Sequence, residues 1–480
     1  MQESKKFAFD IGITFVASIV SMLFGFVITV LLGRYLGADD LGLYRMVSTI
    51  YGIAMLFAAV GIPATIIKYV AEYKGDKTKI NSLISSGVIT SLLLGVVFSV
   101  LFYLSSGIFE EIFEMPGLSV LLKILSPVFP FALVGGVLLG MLNGLRVMRK
   151  YGIATVIQSV LMLFVSVLLL YFGFGVAGVV IGIVFASAGW CLYLLLITRN
   201  YFDITLVGYT DNTKMMLVFG AQIFAGNAIN MVNYQADTIL IGYFLTATDV
   251  GYYGAAVVLS RFFWLIPTAV QTITYPATSE YWSKNNHSAL QVMIDKSMKY
   301  TACILFPVGL GVYIFANEII TLVFGDAFIH SVFPLKILIV GTVVFGVVKA
   351  IGGSTTGMGR PDIGLKIVGI SATINIALNL LLIPIYGISG AAVATAVSLF
   401  VASLLGLIVT TRLLDVKIDL KWYVKISGMA LLTILVFGHF GHLNVYLVGI
   451  TLLCINLLVV FSKLLSNEDN HYFMKLIRKY

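Results

Sequence analysis

The sequence predicts an all-α integral membrane protein of about fourteen transmembrane helices, built as two related halves. Three observations predict it. Of 480 residues, 60% are hydrophobic and 11% charged, with a mean hydropathy of +1.03, whereas a soluble domain carries about 25% charged residues. Apolar runs of about 20 residues, the length that crosses a bilayer as a helix, follow one another along the whole chain. Finally, Arg34 to Tyr44, RYLGADDLGLY, returns at Tyr243 to Tyr253 as YFLTATDVGYY, matching Leu36/Leu245, Asp40/Asp249, Gly42/Gly251 and Tyr44/Tyr253 at an offset of 209. Pro63-Ala64-Thr65 recurs as Pro276-Ala277-Thr278, and YFGFGVAGVV (Tyr171 to Val180) returns in degenerate form as IPIYGISGAAV (Ile383 to Val393). Landmarks in one order at a nearly constant offset indicate a duplication, the self-similarity of membrane proteins with two embedded halves.

The spans fall near 11–33, 42–67, 82–104, 119–142, 153–172, 176–198, 215–245, 250–279, 297–322, 333–352, 364–385, 388–411, 423–440 and 444–463. The first follows MQESKKFAFDIG, which lacks a short apolar core with a small-residue cleavage site, so it is expected to stay as an uncleaved span. Between Ile11 and Leu32 it holds no acid or base, only Thr14, Ser18, Ser21 and Thr29. The second carries the Pro63 landmark, and the basic stretch Lys68 to Lys79 separates it from the third. The longest outer loop, about Ser105 to Leu118 with Glu110, Glu111 and Glu114, precedes the fourth. The fifth and sixth are separated by 173–175. The seventh and eighth repeat the first and second, the eleventh and twelfth are separated by 386–387, and two further spans follow. The expected organisation is an N-terminal six-helix bundle (1–205), a C-terminal six-helix bundle (206–415), and a last segment (416–480) of two extra helices with a basic tail.

Lys and Arg gather in cytoplasmic loops, and this fixes orientation. With the N-terminus in the cytoplasm, 25 of the 30 Lys and Arg fall in cytoplasmic segments, including Lys5, Lys6, Lys463, Lys475, Arg478 and Lys479 at the two ends. Arg34, Arg45, Lys123 and Lys336 fall outside, and Arg261 lies within a span. The expectation is a multi-pass protein of the cell membrane with both termini cytoplasmic. Its +8 charge is explained by these loops, with no nucleic-acid partner. No loop is large enough for an extramembrane catalytic domain. GGSTTGMG (Gly352 to Gly359) lacks the following Lys-Ser/Thr of a phosphate-binding loop. His287, His330, His439, His442 and His471 lack metal-ligand spacing, and Asn286-His287-Ser288 is a glycosylation sequon on the cytoplasmic side. Cys191, Cys303 and Cys454 are odd in number and sit inside apolar runs, as packing residues. Neither an enzyme, a cofactor nor a metal site is expected.

The intramembrane polar residues remain, and charge there is costly enough to mark function. On a helical wheel, Gln222, Asn227, Asn230, Asn233, Tyr234 and Asp237 share an arc of roughly 140° on the seventh span. Such an arc suits a cavity wall, the alternative being hydrogen-bonded glue between helices. Asp237 and Arg261 both lie roughly 15–20 Å below the outer hairpin tip. Two readings stay open for them: a static bridge, or Arg261 facing an anionic substrate with Asp237 orienting it or exchanging a proton. Arg34 and Arg45 flank the outer hairpin, where headgroup snorkelling is the other explanation. Lys68 and Lys349 lie near the inner mouth, as ligands or as determinants of orientation. Gln158, Asn375 and Asn379 lie within the fifth and eleventh spans.

LGRYLGADDLGLYRMVSTIYGIAMLFAAVGIPATIIKYVAEY (Leu32 to Tyr73) resembles the first hairpin of polysaccharide flippases in the multidrug/oligosaccharidyl-lipid/polysaccharide exporter superfamily. ADTILIGYFLTATDVGYYGAAVVLSRFFWLIPTAVQTITYPATSEYW (Ala236 to Trp282) resembles the matching hairpin of their second half, and Gly359-Arg360-Pro361 and YGISGAAVAT (Tyr386 to Thr395) fit the same pattern. The resemblance implies two six-helix bundles around a central cavity open alternately to either side, moving polyprenyl-linked oligosaccharides from the cytoplasmic to the outer leaflet. It implies pyrophosphate recognition by cavity cations: Arg261, then Arg34, Arg45, Lys68 and Lys349. Membrane lipids and glycan-assembly proteins are the expected partners. Few mid-span arginines set the chain apart from the superfamily's peptidoglycan-lipid flippases, and a first span without an acid sets it apart from drug/cation antiporters. Two alternatives stand: an exporter of drugs or small molecules coupled to H+ or Na+, in which Asp237 titrates, and a non-transporting scaffold of a glycan-assembly complex.

Overall fold

Backbone amides in hydrocarbon must be satisfied within the chain, and the protein answers with helices: among the described residues the elements are helical throughout. The computed structural model describes residues 2–441 and 443–460, with side-chain surroundings from residue 12 onward. The basic tail (Lys463, Lys475, Arg478, Lys479), His442, His471 and the side chains of Lys5 and Lys6 lie outside the described residues.

The order is α1 (Gln2–Leu36), α2 (Ala38–Ala59), α3 (Ile62–Glu72), α4 (Lys77–Phe113), α5 (Leu118–Leu125), α6 (Val128–Gly144), α7 (Met148–Tyr171), α8 (Gly175–Thr198) and α9 (Tyr209–Phe244). Then come α10 (Ala247–Arg261), α11 (Leu265–Ser283), α12 (His287–Ile314), α13 (Ala316–Phe324), α14 (Val332–Lys349), α15 (Ser354–Gly357), α16 (Pro361–Leu414), α17 (Leu420–Phe440) and α18 (Val445–Val459). Several expected spans are broken, each with a local cause. Val60 and Gly61, with φ of 41° and 69°, separate α2 from α3. Ser126-Pro127 separates α5 from α6 with a 46° bend. A single 3-10 turn, Phe262–Trp264, separates α10 from α11 just before Pro267.

Eleven of these helical stretches are long and apolar enough to cross a membrane, or twelve with the bent α5–α6 pair as one. That makes the chain a multi-pass membrane protein. α16 counts once in that tally, yet it is a hairpin. At about 1.5 Å per residue its 54 residues would run about 81 Å if straight, well beyond the about 30 Å hydrocarbon core. Instead the backbone reverses at Gly387 (φ 59°, ψ −142°). Ser371 Oγ then donates to the Ser398 carbonyl at 2.9 Å, and Asn375 Nδ2 reaches Thr395 Oγ1 and Ser398 Oγ, both at 3.3 Å. The division expected at 386–387 is therefore present within one continuous stretch. Gly175, the counterpart of Gly387 in YFGFGVAG, also has a positive φ (55°). α18 has 15 residues, and the expected continuation of its span to 463 lies outside the described residues.

Contacts between helices give their relative directions. α1 and α7 are parallel: an added Cβ at Gly152 would strike Ile13, and Ser159 Oγ donates to Ser21 Oγ at 2.8 Å. α12 and α14 are antiparallel, since Gly309 packs on Val343 and Gly346 on Leu305. Both agree with spans that alternate in direction. The chain forms two compact units, Met1–Gly254 and Ala255–Tyr480. In the first, Ile66, Leu83, Val137, Met141, Trp190 and Leu194 share one buried cluster. In the second, Leu290, Ile294, Met298, Trp422 and Ile426 do so. α9 packs on α2, α3 and α4 within the first unit. Cys191 and Cys303 are buried as expected of packing residues, whereas Cys454 is exposed: on α18 it faces outward, away from the core.

Glycine sets how closely helices approach. An added Cβ at Gly95 of α4 would lie 2.5 Å from the Pro130 Cα of α6, while at Gly107 it would meet nothing within 4 Å. Gly95→Ala is expected to lower stability by about 1–3 kcal/mol through overpacking, with Gly107→Ala unchanged or slightly more stable. Thermal unfolding of both variants in detergent checks the difference.

Candidate functional site: the paired hairpins and the polar face of α9

The two copies of the repeated motif lie against each other. Each sits at a helix–helix turn, α1–α2 and α9–α10. At Gly42 an added Cβ would fall on the Ala247 carbonyl, and at Gly251 on the Ala38 carbonyl. Ala38 and Ala247 are themselves repeat mates, as are Gly42 and Gly251, so the contact is reciprocal. Thr248 Oγ1 donates to Asp39 Oδ1 at 3.2 Å, again between positions 209 apart. Residues that meet their own counterparts mark a local two-fold axis, which passes between Asp39 and Thr248. Arg45 adds a bond from Nη2 to the Gly254 carbonyl at 3.4 Å. It is therefore half-buried in this contact, while Arg34, at the end of α1, is exposed.

Why glycine is required here follows from geometry. With no Cβ at 42 or 251, each backbone reaches the other's carbonyls, and any side chain would push the turns apart. Gly37 closes α1 with φ of 91°, a conformation that L side chains avoid.

Below this contact α9 shows two different faces. One packs on α2. Phe224 lies ring to ring with Phe57 at 5.1 Å, Met231 sits in the space left by Gly52, and Gln235 Oε1 accepts from Thr49 Oγ1 at 3.3 Å. At about 100° per residue these three positions span about 40° of the helix. The polar arc lies beside it, starting about 40° round from Met231 at Asn227 and centred about 130° from the α2 face. Gln222, Asn227 and Asn230 are exposed, Asn233 and Tyr234 half-buried, and Asp237 buried. Asn230 Nδ2 bonds the Gly226 carbonyl of its own helix at 2.9 Å, not a neighbouring helix.

Asp237 is 8% exposed. Its Oδ2 accepts from Tyr253 Oη at 2.6 Å and its Oδ1 from the Thr238 amide at 2.8 Å. Tyr253, 1% exposed, is a site residue that sequence reasoning missed. The available signal was its place in the repeat as the mate of Tyr44, also buried. Arg261 ends α10 in the second unit and is half-buried.

The two candidate lysines stand on aromatic rings. Lys68 of α3 is exposed, with Nζ 4.3 Å from the ring centres of both Tyr69 and Phe219, which brings α3 and α9 together. Lys349 ends α14 half-buried, 5.6 Å from the Trp264 ring and 5.8 Å from Phe345. Cation–π attraction holds both ammonium groups without a carboxylate. Asn375 and Asn379 are buried inside the α16 hairpin on one leg, where Asn379 Nδ2 donates to Asn375 Oδ1 at 3.0 Å, and Asn375 reaches across to Thr395 and Ser398 on the other.

Tyr253→Phe removes a donor from a buried carboxylate. It is expected to cost about 1–3 kcal/mol, measured as a lower unfolding temperature that Asp237→Asn in the same background does not lower further.

Comparison with known proteins agrees with this architecture. The family model described as polysaccharide biosynthesis protein matches residues 31–333. The probable low-salt glycan biosynthesis flippase Agl15 of Haloferax volcanii is 33% identical over 169 residues, 35% of this chain and 36% of that protein. The probable flippase AglR of the same organism is 24% identical, over 83% of this chain and 82% of its own. Among solved structures, the lipid II flippase MurJ in an inward closed conformation superposes with a TM-score of 0.76 at 17% identity, over 94% of this chain and 98% of that one. An inward-facing multidrug resistance transporter of the MATE family superposes at 0.72 and 16% identity, over 82% of this chain and 94% of that one. Those two likenesses are of fold. The family is one of transporters and not of catalysts: the chain belongs to the polysaccharide biosynthesis protein family, among the flippases of the multidrug/oligosaccharidyl-lipid/polysaccharide exporter superfamily.

Proposed function

We propose that this protein flips a lipid-linked oligosaccharide, a polyprenyl-pyrophosphate glycan, from the inner to the outer leaflet of the cytoplasmic membrane by alternating access. On this reading the chain crosses fourteen times with both ends in the cytoplasm, spans one to six and seven to twelve form the two bundles, and the last two spans are peripheral. One observation carries the reading. The repeated hairpins close on each other through glycine backbones, while Gln222, Asn227 and Asn230 of the α9 arc are exposed.

The physics of the task explains the arrangement. Each sugar hydroxyl drawn unpaired into hydrocarbon costs several kcal/mol. A polar groove that accepts the headgroup while the lipid tail stays in the bilayer removes that barrier. Asn227, Asn230, Asn233 and Tyr234 offer the donors and acceptors that such a headgroup needs. Arg261, with Arg34, Arg45, Lys68 and Lys349, supplies cations for a pyrophosphate, and Asp237, held by Tyr253, orients that region. A closure made of backbone contacts and a few weak polar bonds can part without unpacking large side chains, as alternating access requires. Glycan-assembly proteins are the partners that would deliver and receive the product.

The test is flipping of a lipid-linked oligosaccharide in proteoliposomes. Wild type is expected to flip it, Arg261→Ala to lose most of the rate while still folded and inserted, and Asp237→Asn to be impaired. Asp39→Cys with Thr248→Cys is expected to form a disulfide on oxidation and stop flipping reversibly, since those side chains already touch. Undiminished flipping in the oxidised double variant would refute the closure. A wild type that flips nothing, yet moves drugs against a proton or sodium gradient, would transfer the assignment to an ion-coupled exporter. A protein that transports neither, but supports glycan assembly when the α9 arc is changed to alanine, would be a scaffold.

A further inference from the structure

Residues 199–208, between α8 and α9, lie outside any helix, and side chains of α4 hold them. Asn81 Nδ2 donates to Asp203 Oδ2 at 3.3 Å, where Lys77 Nζ also stands at 3.3 Å. The Thr205 amide donates to Ser85 Oγ at 3.0 Å, and Ser82 Oγ donates to the Val207 carbonyl. At the start of α9, Asn212 Nδ2 reaches Ser82 Oγ at 2.6 Å and Ser86 Oγ at 3.4 Å. The polar atoms of the segment are thus spent on α4. Its apolar side chains are left over: Ile204, Leu206 and Val207 are 82%, 68% and 73% exposed. An exposed apolar patch of this kind marks an interaction surface.

The face of α4 beneath the segment identifies what covers it. At about 100° per residue, Ser82, Ser85 and Ser86 share an arc of about 100°. Further along the helix, Leu93, Val96, Val100 and Leu104 fall within that same arc, and all four are exposed. An exposed apolar row on a membrane-crossing helix faces lipid. Length then sets the depth. From Ser85 to Tyr103, whose ring lies 5.8 Å from the Lys123 ammonium, α4 rises about 27 Å, close to the about 30 Å hydrocarbon core. A tyrosine that ends an apolar row belongs to one membrane–water boundary. Ser82 and Ser85 therefore lie at the other.

We infer that residues 199–208 form a strap lying in the bilayer surface at the N-terminal end of α4, with Ile204, Leu206 and Val207 among the lipid acyl chains. On the topology proposed above, that boundary is the cytoplasmic one. Hydroxyls and amides left unpaired against hydrocarbon are costly. The strap pairs those at the foot of α4 and presents apolar side chains in their place, so the lipid-facing surface continues to the first turns of the helix. Lys77 and Asp203 stay exposed, as an ion pair on the water side of the patch. Beyond the strap, Thr90 Oγ1 lies 3.2 Å from Tyr209 Oη and 3.1 Å from Thr213 Oγ1, which fixes the foot of α9 on the same helix. The segment is thus a membrane anchor and not a free aqueous loop, whatever the protein transports.

Spin labels on single cysteines of the full chain, in liposomes of phosphatidylethanolamine and phosphatidylglycerol, test this without reading transport. Cys454→Ser first removes the exposed native thiol, Cys191 and Cys303 being buried. A label on Leu206→Cys is expected to collide with oxygen in preference to a water-soluble nickel chelate, as does one on Val96→Cys in the lipid-facing row. The preference is expected to reverse on Lys74→Cys, in the exposed turn between α3 and α4. Ile204→Cys carries the same reading if Leu206→Cys fails to fold. A label at 206 as open to the chelate as the one at 74 would overturn the inference by placing the segment in water. Shielding from both reagents would overturn it as well, by showing protein over the patch.

Discussion

Backbone meeting backbone at glycine is the contact on which the rest of this structure depends. A Cβ added at Gly42 would fall on the Ala247 carbonyl and one at Gly251 on the Ala38 carbonyl, and the same device recurs at the α2–α3 turn, where a Cβ added at Gly61 would lie 2.5 Å from the Gly220 carbonyl oxygen of α9. In a membrane there is little hydrophobic drive to press helices together, because lipid tails are as apolar as the side chains they would replace. Close van der Waals approach supplies what burial supplies in water, and small residues permit it. α9 is held near both ends by such contacts. The stretch between them carries the polar arc on the face that does not pack on α2.

Symmetry gives this arrangement its economy. One motif, duplicated, makes a self-complementary joint, so a single geometry solves both sides of the contact. The two copies have since diverged in what they add to it. Asp39 of one meets Thr248 of the other, and Arg45 reaches the carbonyl of Gly254, its own repeat mate. The divergence at YFGFGVAGVV is milder: Gly175 and Gly387 both keep a positive φ, although the first starts a separate helix and the second lies within a hairpin.

Charge is treated sparingly throughout. Asp237 is buried with a phenol and an amide as donors, and the ammonium groups of Lys68 and Lys349 rest on aromatic rings. A ring face stabilises a cation without cancelling its charge. A carboxylate beside each lysine would neutralise the field that an anionic headgroup needs, whereas the face of a ring leaves the positive charge available.

Composition and periodicity determined the class by themselves, since runs of about 20 apolar residues have one stable use. The duplication was equally plain, because Gly42/Gly251 and Pro63/Pro276 are identities in the primary sequence. The polar arc of α9 was legible too, as it depends only on the angle between successive residues. What remained hidden needed distances between segments far apart in the chain. No periodicity reveals that the repeated hairpins touch each other or that Tyr253 donates to Asp237. Breaks in the second and eighth spans were hidden for a related reason: hydropathy sums over a window and is blind to a single left-handed residue such as Val60. Sequence determines which surfaces must avoid lipid, and only the tertiary structure decides which surface covers which, because that choice rests on shape at the scale of one missing Cβ.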